Sequence, residues 1–344
     1  MASQGTRKIL VRAPNWIGDA VMCLPALASL KKLYPKSEIT ILTKGRATPV
    51  FENNPAVKEV MVYEDRGRHK GITGKMRLSK ELRERGFELA VLFQNAFDAA
   101  FIAFTAGIPE RVGYARDLRS RLLTKAIPVT EEIKKKHQVY YYLNIVKAIG
   151  GTHSGSPIPR IFLSRQEKGW AEEYLKKEGL KGKSLAGASP GASYGKAKRW
   201  MPENFASVLE AFNNGHESVS LIFGGTEDKE ACDSVAGKIN GRALNLAGKI
   251  NLRQFMAILS KLDVFITNDS GPMHISAALG VPTIAIFGST DPILTGPLGS
   301  KVKVIIKNIE CSPCFERECR HKHYKCLALI EPQEVYKEAE RFIK

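Results

Sequence analysis

The sequence predicts an α/β protein built from two doubly wound, parallel-sheet domains, and three observations predict it. Short apolar runs alternate with stretches of helical periodicity along the whole chain, the pattern of parallel strands joined by crossover helices. The alternation breaks once, at Gly150-Gly151, Gly155 and Pro157, where structure breakers mark a linker. Polar, glycine-bearing turns also follow directly on several apolar runs, which is where open parallel sheets bind ligands. The expected domains are residues 1–160 and 161–330, with a closing helix in 331–344 expected to pack back on the first domain. The cleft between the two domains is the expected active site.

In the first half, residues 8–12 read as a buried strand, and 20–33 as a helix with Val21, Leu24, Leu27 and Leu30 on one face. Strands follow at 38–43 and 60–63, then a charged helix at 75–85, a buried strand at 89–93 and a helix at 97–106. Residues 111–125 form a basic stretch, and a helix over 133–149 closes this half. The second half repeats the alternation, with helices at 170–178, 203–212, 230–239, 252–259 and 275–279. Its strands are read at 184–189, 219–223, 244–246, 264–267 and 282–287, and a last helix at 332–343.

Of the 344 residues, 44% are hydrophobic and 25% charged, an ordinary soluble composition long enough for two cores. No apolar run approaches the roughly 20 residues of a membrane-spanning helix. Residues 1–8 run straight into the strand without the apolar core of a secretion signal, so a cytosolic protein is expected. The net charge is +17, and residues 1–160 hold 27 Lys and Arg against 14 Asp and Glu, or +13 of it. Such a field suits nucleic acid, an anionic membrane surface or a phosphorylated substrate. Four of the six cysteines fall together as Cys311, Cys314, Cys319 and Cys326, with His321 and His323 among them. In a cytosolic chain that spacing points to a structural zinc, with free thiols or oxidised pairs as the competing readings.

Asn268-Asp269-Ser270-Gly271-Pro272-Met273-His274 sits between a buried strand and a helix start. Ser270 and Gly271 would offer backbone amides to a phosphate there, and Pro272 suits a first helical turn because it has no amide to leave unpaired. Two further loops follow strands: residues 190–200, with Ser193, Lys196, Lys198 and Arg199, and Gly224-Gly225-Thr226-Glu227. Three such loops in one sheet predict a pocket for a nucleotide diphosphate, with Glu227 accepting from ribose hydroxyls. In the first half, Asn15-Trp16-Ile17-Gly18-Asp19 follows the first strand; Gly18 is expected to allow a sharp turn that leaves Asp19 at a helix N-terminus. A carboxylate is favoured there by the helix dipole alone; as a general base it would take a proton from an acceptor hydroxyl.

No Gly-x-Gly-x-x-Gly follows the first strand and no phosphate-binding P-loop occurs, which argues against a dehydrogenase or a P-loop enzyme. There is no Asp-x-Asp to hold a divalent metal on a nucleotide sugar, so Lys198, backbone amides and a helix end would meet the diphosphate charge.

Asn15-Trp16-Ile17-Gly18-Asp19, Lys198-Arg199-Trp200-Met201-Pro202 and Asp269-Ser270-Gly271-Pro272-Met273-His274 together resemble the bacterial lipopolysaccharide heptosyltransferases, glycosyltransferase family 9, over nearly the whole chain. With Cys311-Ser312-Pro313-Cys314, the first motif looks most like the heptosyltransferase II branch. The resemblance implies a GT-B fold and an inverting, metal-independent transfer from ADP-L-glycero-D-manno-heptose to heptosyl-Kdo2-lipid A. It places the catalytic base on Asp19 and the donor-phosphate lysine on Lys198. Other donor contacts fall on Ser193, Glu227, Asp269, Ser270, Gly271 and His274. A basic first half would then hold the acceptor at the inner face of the cytoplasmic membrane. Asn15, Trp16, Arg111 and Arg119 are the acceptor candidates, with Arg116, Arg121 and residues 134–136 behind them. No cofactor is required, the structural zinc remaining one reading of the cysteine spacing beside free thiols and disulfides, and no nucleic acid is expected. The rival readings are a heptosyltransferase acting at another inner-core position, a zinc-containing nucleic-acid-binding protein and a non-catalytic nucleotide-sugar-binding protein.

Overall fold

Apolar runs of three to six residues become parallel strands in two six-stranded sheets. The computed structural model describes residues 6–343, so the leader reading of residues 1–8 falls largely outside the described residues. The chain divides into two units, Met1–Phe162 and Leu163–Lys344.

The first unit holds β1 (Lys8–Arg12), β2 (Glu38–Thr43), β3 (Glu59–Val62), β4 (Leu89–Leu92), β5 (Glu110–Tyr114) and β6 (Lys125–Ile127). They pair in the order β3-β2-β1-β4-β5-β6, all parallel. The second unit holds β7 (Leu185–Ser189), β8 (Val219–Ile222), β9 (Ala243–Asn245), β10 (Val264–Asn268), β11 (Thr283–Phe287) and β12 (Val302–Ile306). Their order is β12-β11-β10-β7-β8-β9, again all parallel. Taken from β9, it repeats the order of the first sheet. Each sheet therefore reverses its winding once, at β1/β4 and at β7/β10. Chain leaving those neighbouring strands diverges to opposite faces of the sheet and opens a crevice at their carboxyl ends.

Helices cover both faces, which is why β4 and β10 are buried throughout and read as continuous apolar runs rather than alternating ones. In the second unit Trp200, Phe205 and Phe212 pack with Ile222, Ile266 and Ile286. Val335 and Ala339 of the helix Pro332–Glu340 belong to the same cluster, and the Trp200 indole donates to the Ile330 carbonyl at 3.2 Å. The closing helix packs against Pro202–His216 of its own unit.

Two expected helices are broken. Residues 20–33 divide into Ile17–Met22 and Leu24–Leu33, because Pro25 lacks an amide and has to start a helix rather than continue one. Residues 133–149 divide into Glu131–Lys134 and Gln138–Lys147, each with its own N-cap, Thr130 and His137. Gly18 lies inside the helix Ile17–Met22 and makes no turn. β5, β6 and β12 were not anticipated. β6 is three residues long, β12 is half exposed, and charged residues open β5.

Candidate active site

In the second unit the loops leaving β7 and β10 meet at the switch point. Asn268 ends β10 and is fully buried; its amide donates to the Pro190 carbonyl at 2.7 Å and accepts from the Trp200 backbone at 3.0 Å. That bridge holds the two loops together. Between them the Lys198 ammonium pairs with Asp269 Oδ2, and the Thr290 hydroxyl, from the loop after β11, donates to the same oxygen at 2.5 Å. Asp269 is 5% exposed, so these partners rather than water surround its carboxylate. Lys198 also lies 4.6 Å from the centroid of the Tyr194 ring, whose hydroxyl donates to the Phe315 carbonyl at 2.6 Å. A fixed, partly desolvated ammonium is thereby presented at the carboxyl end of the sheet.

Ser270 caps the nine-residue helix Gly271–Leu279 with extended backbone. Its hydroxyl turns back to the Asn268 carbonyl at 3.3 Å, so the side chain does not cap the helix amides. Gly271 and Pro272 open the helix, and His274 is buried in its second turn. Ser193 is exposed in the β7 loop. Glu227 is exposed in the turn after β8, while its neighbour Asp228 points inward toward the β7 loop. There a Cβ on Gly191 would overlap the Asp228 carboxyl, so only glycine fits. Burial pushes the Asp228 carboxyl up, and its Oδ1 has no hydrogen-bond partner.

In the first unit the chain leaving β1 is held by the buried Arg12. Its guanidinium donates to the Ala13 and Leu42 carbonyls at 2.6 and 3.2 Å and to Asn15 Oδ1 at 2.9 Å, and lies over the Tyr63 ring at 5.3 Å. Asp19 sits in the first turn of Ile17–Met22, partly exposed, and accepts from the Tyr142 hydroxyl at 3.0 Å. Tyr142 is fully buried; burial and then the charge of Asp19 push its phenol well up, so it stays a donor. Trp16 is 57% exposed, with the Arg46 guanidinium 5.3 Å from its ring centroid. The two line a cavity of about 570 Å³ with Asn15, Lys44, Asp65 and Arg66.

The two acceptor arginines lie elsewhere. Arg119 is fully buried, donating to the Tyr114 carbonyl at 2.9 Å, the Gln94 carbonyl and Asn95 Oδ1; burial lowers its guanidinium to about 10. Arg111 donates to the carbonyls of Ile108, Pro109 and Leu122 and covers the Phe104 ring. Both hold backbone carbonyls of the first unit and so brace the turns around them. Lys134 and Lys136 pair on the surface with Glu131 and Glu132.

The sequence profile of glycosyltransferase family 9 (heptosyltransferase) matches residues 75–325. The chain belongs to that family. It is 29% identical to lipooligosaccharide heptosyltransferase 2 of Campylobacter jejuni, the match covering 98% of each chain. It is also 29% identical to lipopolysaccharide heptosyltransferase 2 of Escherichia coli K12, over 96% of this chain and 97% of that one. Among solved structures, the E. coli ADP-heptose lps heptosyltransferase II superposes with a TM-score of 0.83 at 26% identity, covering 97% and 98% of the two chains. A family 9 glycosyltransferase of Veillonella parvula superposes at 0.88, covering 99% of each. The paired Rossmann-like sheets are those of the GT-B glycosyltransferases.

In this family 9 glycosyltransferase the cysteine segment braces the lysine loop. The Ala197 amide donates to the Arg317 carbonyl at 3.0 Å, the Phe315 amide to the Ser289 carbonyl at 2.7 Å, and the Ser312 hydroxyl to the Gly288 carbonyl at 2.6 Å. All four cysteines, with His321, His323 and the unpartnered hydroxyl of Ser289, line one cavity of about 310 Å³. They are free thiols. Burial would raise the Cys319 thiol, but the backbone amides of residues 321–324 outweigh it and lower it. Among the described residues no three His, Cys, Asp or Glu side chains already converge to hold a metal, so the zinc expectation rests on spacing and a shared cavity.

Four residues beside the candidate groups of the two units escaped sequence reasoning: Tyr142 and Arg46 in the first, Thr290 and Asp228 in the second. For Asp228 a signal existed, the adjacent pair Glu227-Asp228 after the two glycines, and the outer carboxylate was chosen. The others act through pairings of 123, 21 and 30 residues' separation, with Asp19, Asp269 and Trp16, which no local pattern carries.

Proposed function

We propose that this glycosyltransferase moves L-glycero-D-manno-heptose from ADP-heptose to heptosyl-Kdo2-lipid A, with inversion, in assembly of the lipopolysaccharide inner core. The single observation that carries the donor half is the Lys198–Asp269–Thr290 cluster at the switch point of the second sheet, beside the N-terminus of Gly271–Leu279. Lys198 and the Ser270 and Gly271 amides meet the diphosphate, and their positive charge stabilises ADP as it leaves without a bound metal. Asp269 and His274 hold the donor. Heptosyltransferase 2 relatives of 29–30% identity over nearly the full length support the choice of sugar and acceptor.

The first unit supplies the base. Asp19 accepts the proton of the acceptor heptose hydroxyl as that oxygen forms a bond to the anomeric carbon and the bond to ADP breaks. The acceptor's anionic saccharide lies against Asn15 and Trp16, an aromatic face for a sugar ring, with Arg46 and Arg66 toward carboxylate or phosphate. The transfer takes place at the inner face of the cytoplasmic membrane, where such an acceptor is anchored.

A coupled ADP-release assay with ADP-heptose tests this reading. Heptosyl-Kdo2-lipid A supports turnover and Kdo2-lipid A without heptose does not. Equal turnover on both would move the chain to another core position, and none on either would reduce it to a binder.

A further inference from the structure

The loop after β7 and the cysteine segment run against each other closely enough to bring a second cation beside Lys198. The Ala197 amide donates to the Arg317 carbonyl at 3.0 Å, and the Tyr194 hydroxyl donates to the Phe315 carbonyl at 2.6 Å. Between those bonds, a Cβ on Gly195 would lie 2.2 Å from the Arg317 carbonyl oxygen, so only glycine lets the two backbones approach. The main chain of Arg317 is thereby held in place. Its guanidinium lies 5.4 Å from the centroid of the Tyr194 ring, and the Lys198 ammonium lies 4.6 Å from the same centroid.

Two cations on one ring carry more positive charge than their surroundings neutralise. Lys198 pairs with Asp269. Among the described residues no carboxylate pairs with Arg317: Glu316 is taken by Arg320, and Glu318, though exposed, makes no ion pair with it. The negative face of an aromatic ring attracts each cation but does not cancel the repulsion between them. A ligand with two or more negative charges would. The Arg317 side chain is exposed, so its planar fork of donors is open to a phosphate.

We propose that Arg317 is a second phosphate-binding residue of the donor site, set by the Tyr194 ring so that it and Lys198 meet the donor's diphosphate together. Tyr194 is a positioning residue, acting through the two cations it touches. The cysteine segment thus supplies a donor contact as well as a brace for the lysine loop. The inference rests on the reading of the second unit as a nucleoside-diphosphate site and adds a residue to it.

Calorimetric titration of the full chain with ADP, with no acceptor present, tests it. Arg317→Gln weakens ADP binding about tenfold. Arg320→Gln removes the same charge from a residue already paired with Glu316, and binds ADP as wild type does. Tyr194→Leu weakens ADP binding at least as much as Arg317→Gln. Adding Arg317→Gln to Tyr194→Leu weakens it by less than Arg317→Gln does alone, since the ring that sets the guanidinium is gone. Tyr194→Phe, which keeps the ring and loses only the bond to Phe315, restores most of the affinity. Four results would each overturn the proposal and leave the donor reading intact: equal affinity of wild type and Arg317→Gln, an equal loss in Arg320→Gln, fully additive losses in the double variant, or no rescue by Tyr194→Phe. A wild type that binds no ADP would overturn both.

Discussion

The phenol of Tyr142 donates to Asp19 Oδ1 at 3.0 Å from a fully buried position on a separate helix. Tyr142 helps to fix the orientation of this partly exposed carboxylate, and its own raised pKa keeps the proton on the phenol. Tyr142→Phe should lower kcat by about tenfold to hundredfold with little change in donor KM. It should also move the acidic limb of the kcat/KM profile to higher pH, because a carboxylate stripped of a donor protonates more easily. A pH–rate series on both proteins measures this; equal limbs would mean that the contact only packs the helix.

Thr290 and Lys198 share one oxygen of Asp269, and their losses should differ in kind. Thr290→Val leaves a buried carboxylate short of one donor, costing about 1–2 kcal/mol, and should raise donor KM with kcat nearly intact. Lys198→Ala removes the charge that meets the leaving diphosphate and should lower kcat/KM by about a hundredfold or more. Steady-state kinetics with calorimetric ADP binding separates the two. A kcat effect for Thr290→Val equal to that for Lys198→Ala would contradict the assigned roles.

The second unit holds an ion pair whose pH dependence has a definite sign. Glu167 completes a capping box with Ser164 and takes two bonds from Arg253, at 2.6 and 2.7 Å. Burial would raise its carboxyl, but Arg253 and the Ser164 amide outweigh it and hold it below the usual range. A carboxyl lowered in the folded state contributes stability that is complete above its unfolded value, about 4.3, and lost as pH falls through its folded value. Glu167→Gln should therefore cost about 1–3 kcal/mol at neutral pH, and the gap to wild type should close under acid. Denaturant melts at several pH values test it; a gap that persisted below the folded value would assign the cost to the capping box alone.

The cysteine cavity makes a prediction about composition. Protein purified under reducing conditions should hold about one zinc per chain, and Cys326→Ser should release it and loosen the lysine loop through Phe315 and Arg317. Elemental analysis with thiol titration decides between the readings, since a metal-free chain with four reactive thiols would show that the spacing misled.

Both sheets were legible because their central strands, β1, β4, β7, β10 and β11, are buried on both faces and so appear as uninterrupted apolar runs. The edges were not legible. β6 is three residues long, and β5 opens with Glu110 and Arg111, so a strand looked like a basic loop. The loops at the switch point of the second sheet were visible because glycine, hydroxyl and lysine directly after buried strands are local signals. The surroundings of Arg119 were hidden for the opposite reason. A cation in a basic stretch gives no sign that its guanidinium will be held by the nearby Tyr114 carbonyl and by Gln94 and Asn95, 25 and 24 residues away.

Asp19→Asn tests the central claim most directly, because it keeps the shape and an acceptor oxygen for Tyr142 while removing the base. Turnover on heptosyl-Kdo2-lipid A should fall by about 10²–10⁴-fold while calorimetric ADP binding stays at the wild-type value. Near-normal turnover with intact ADP binding would contradict the account.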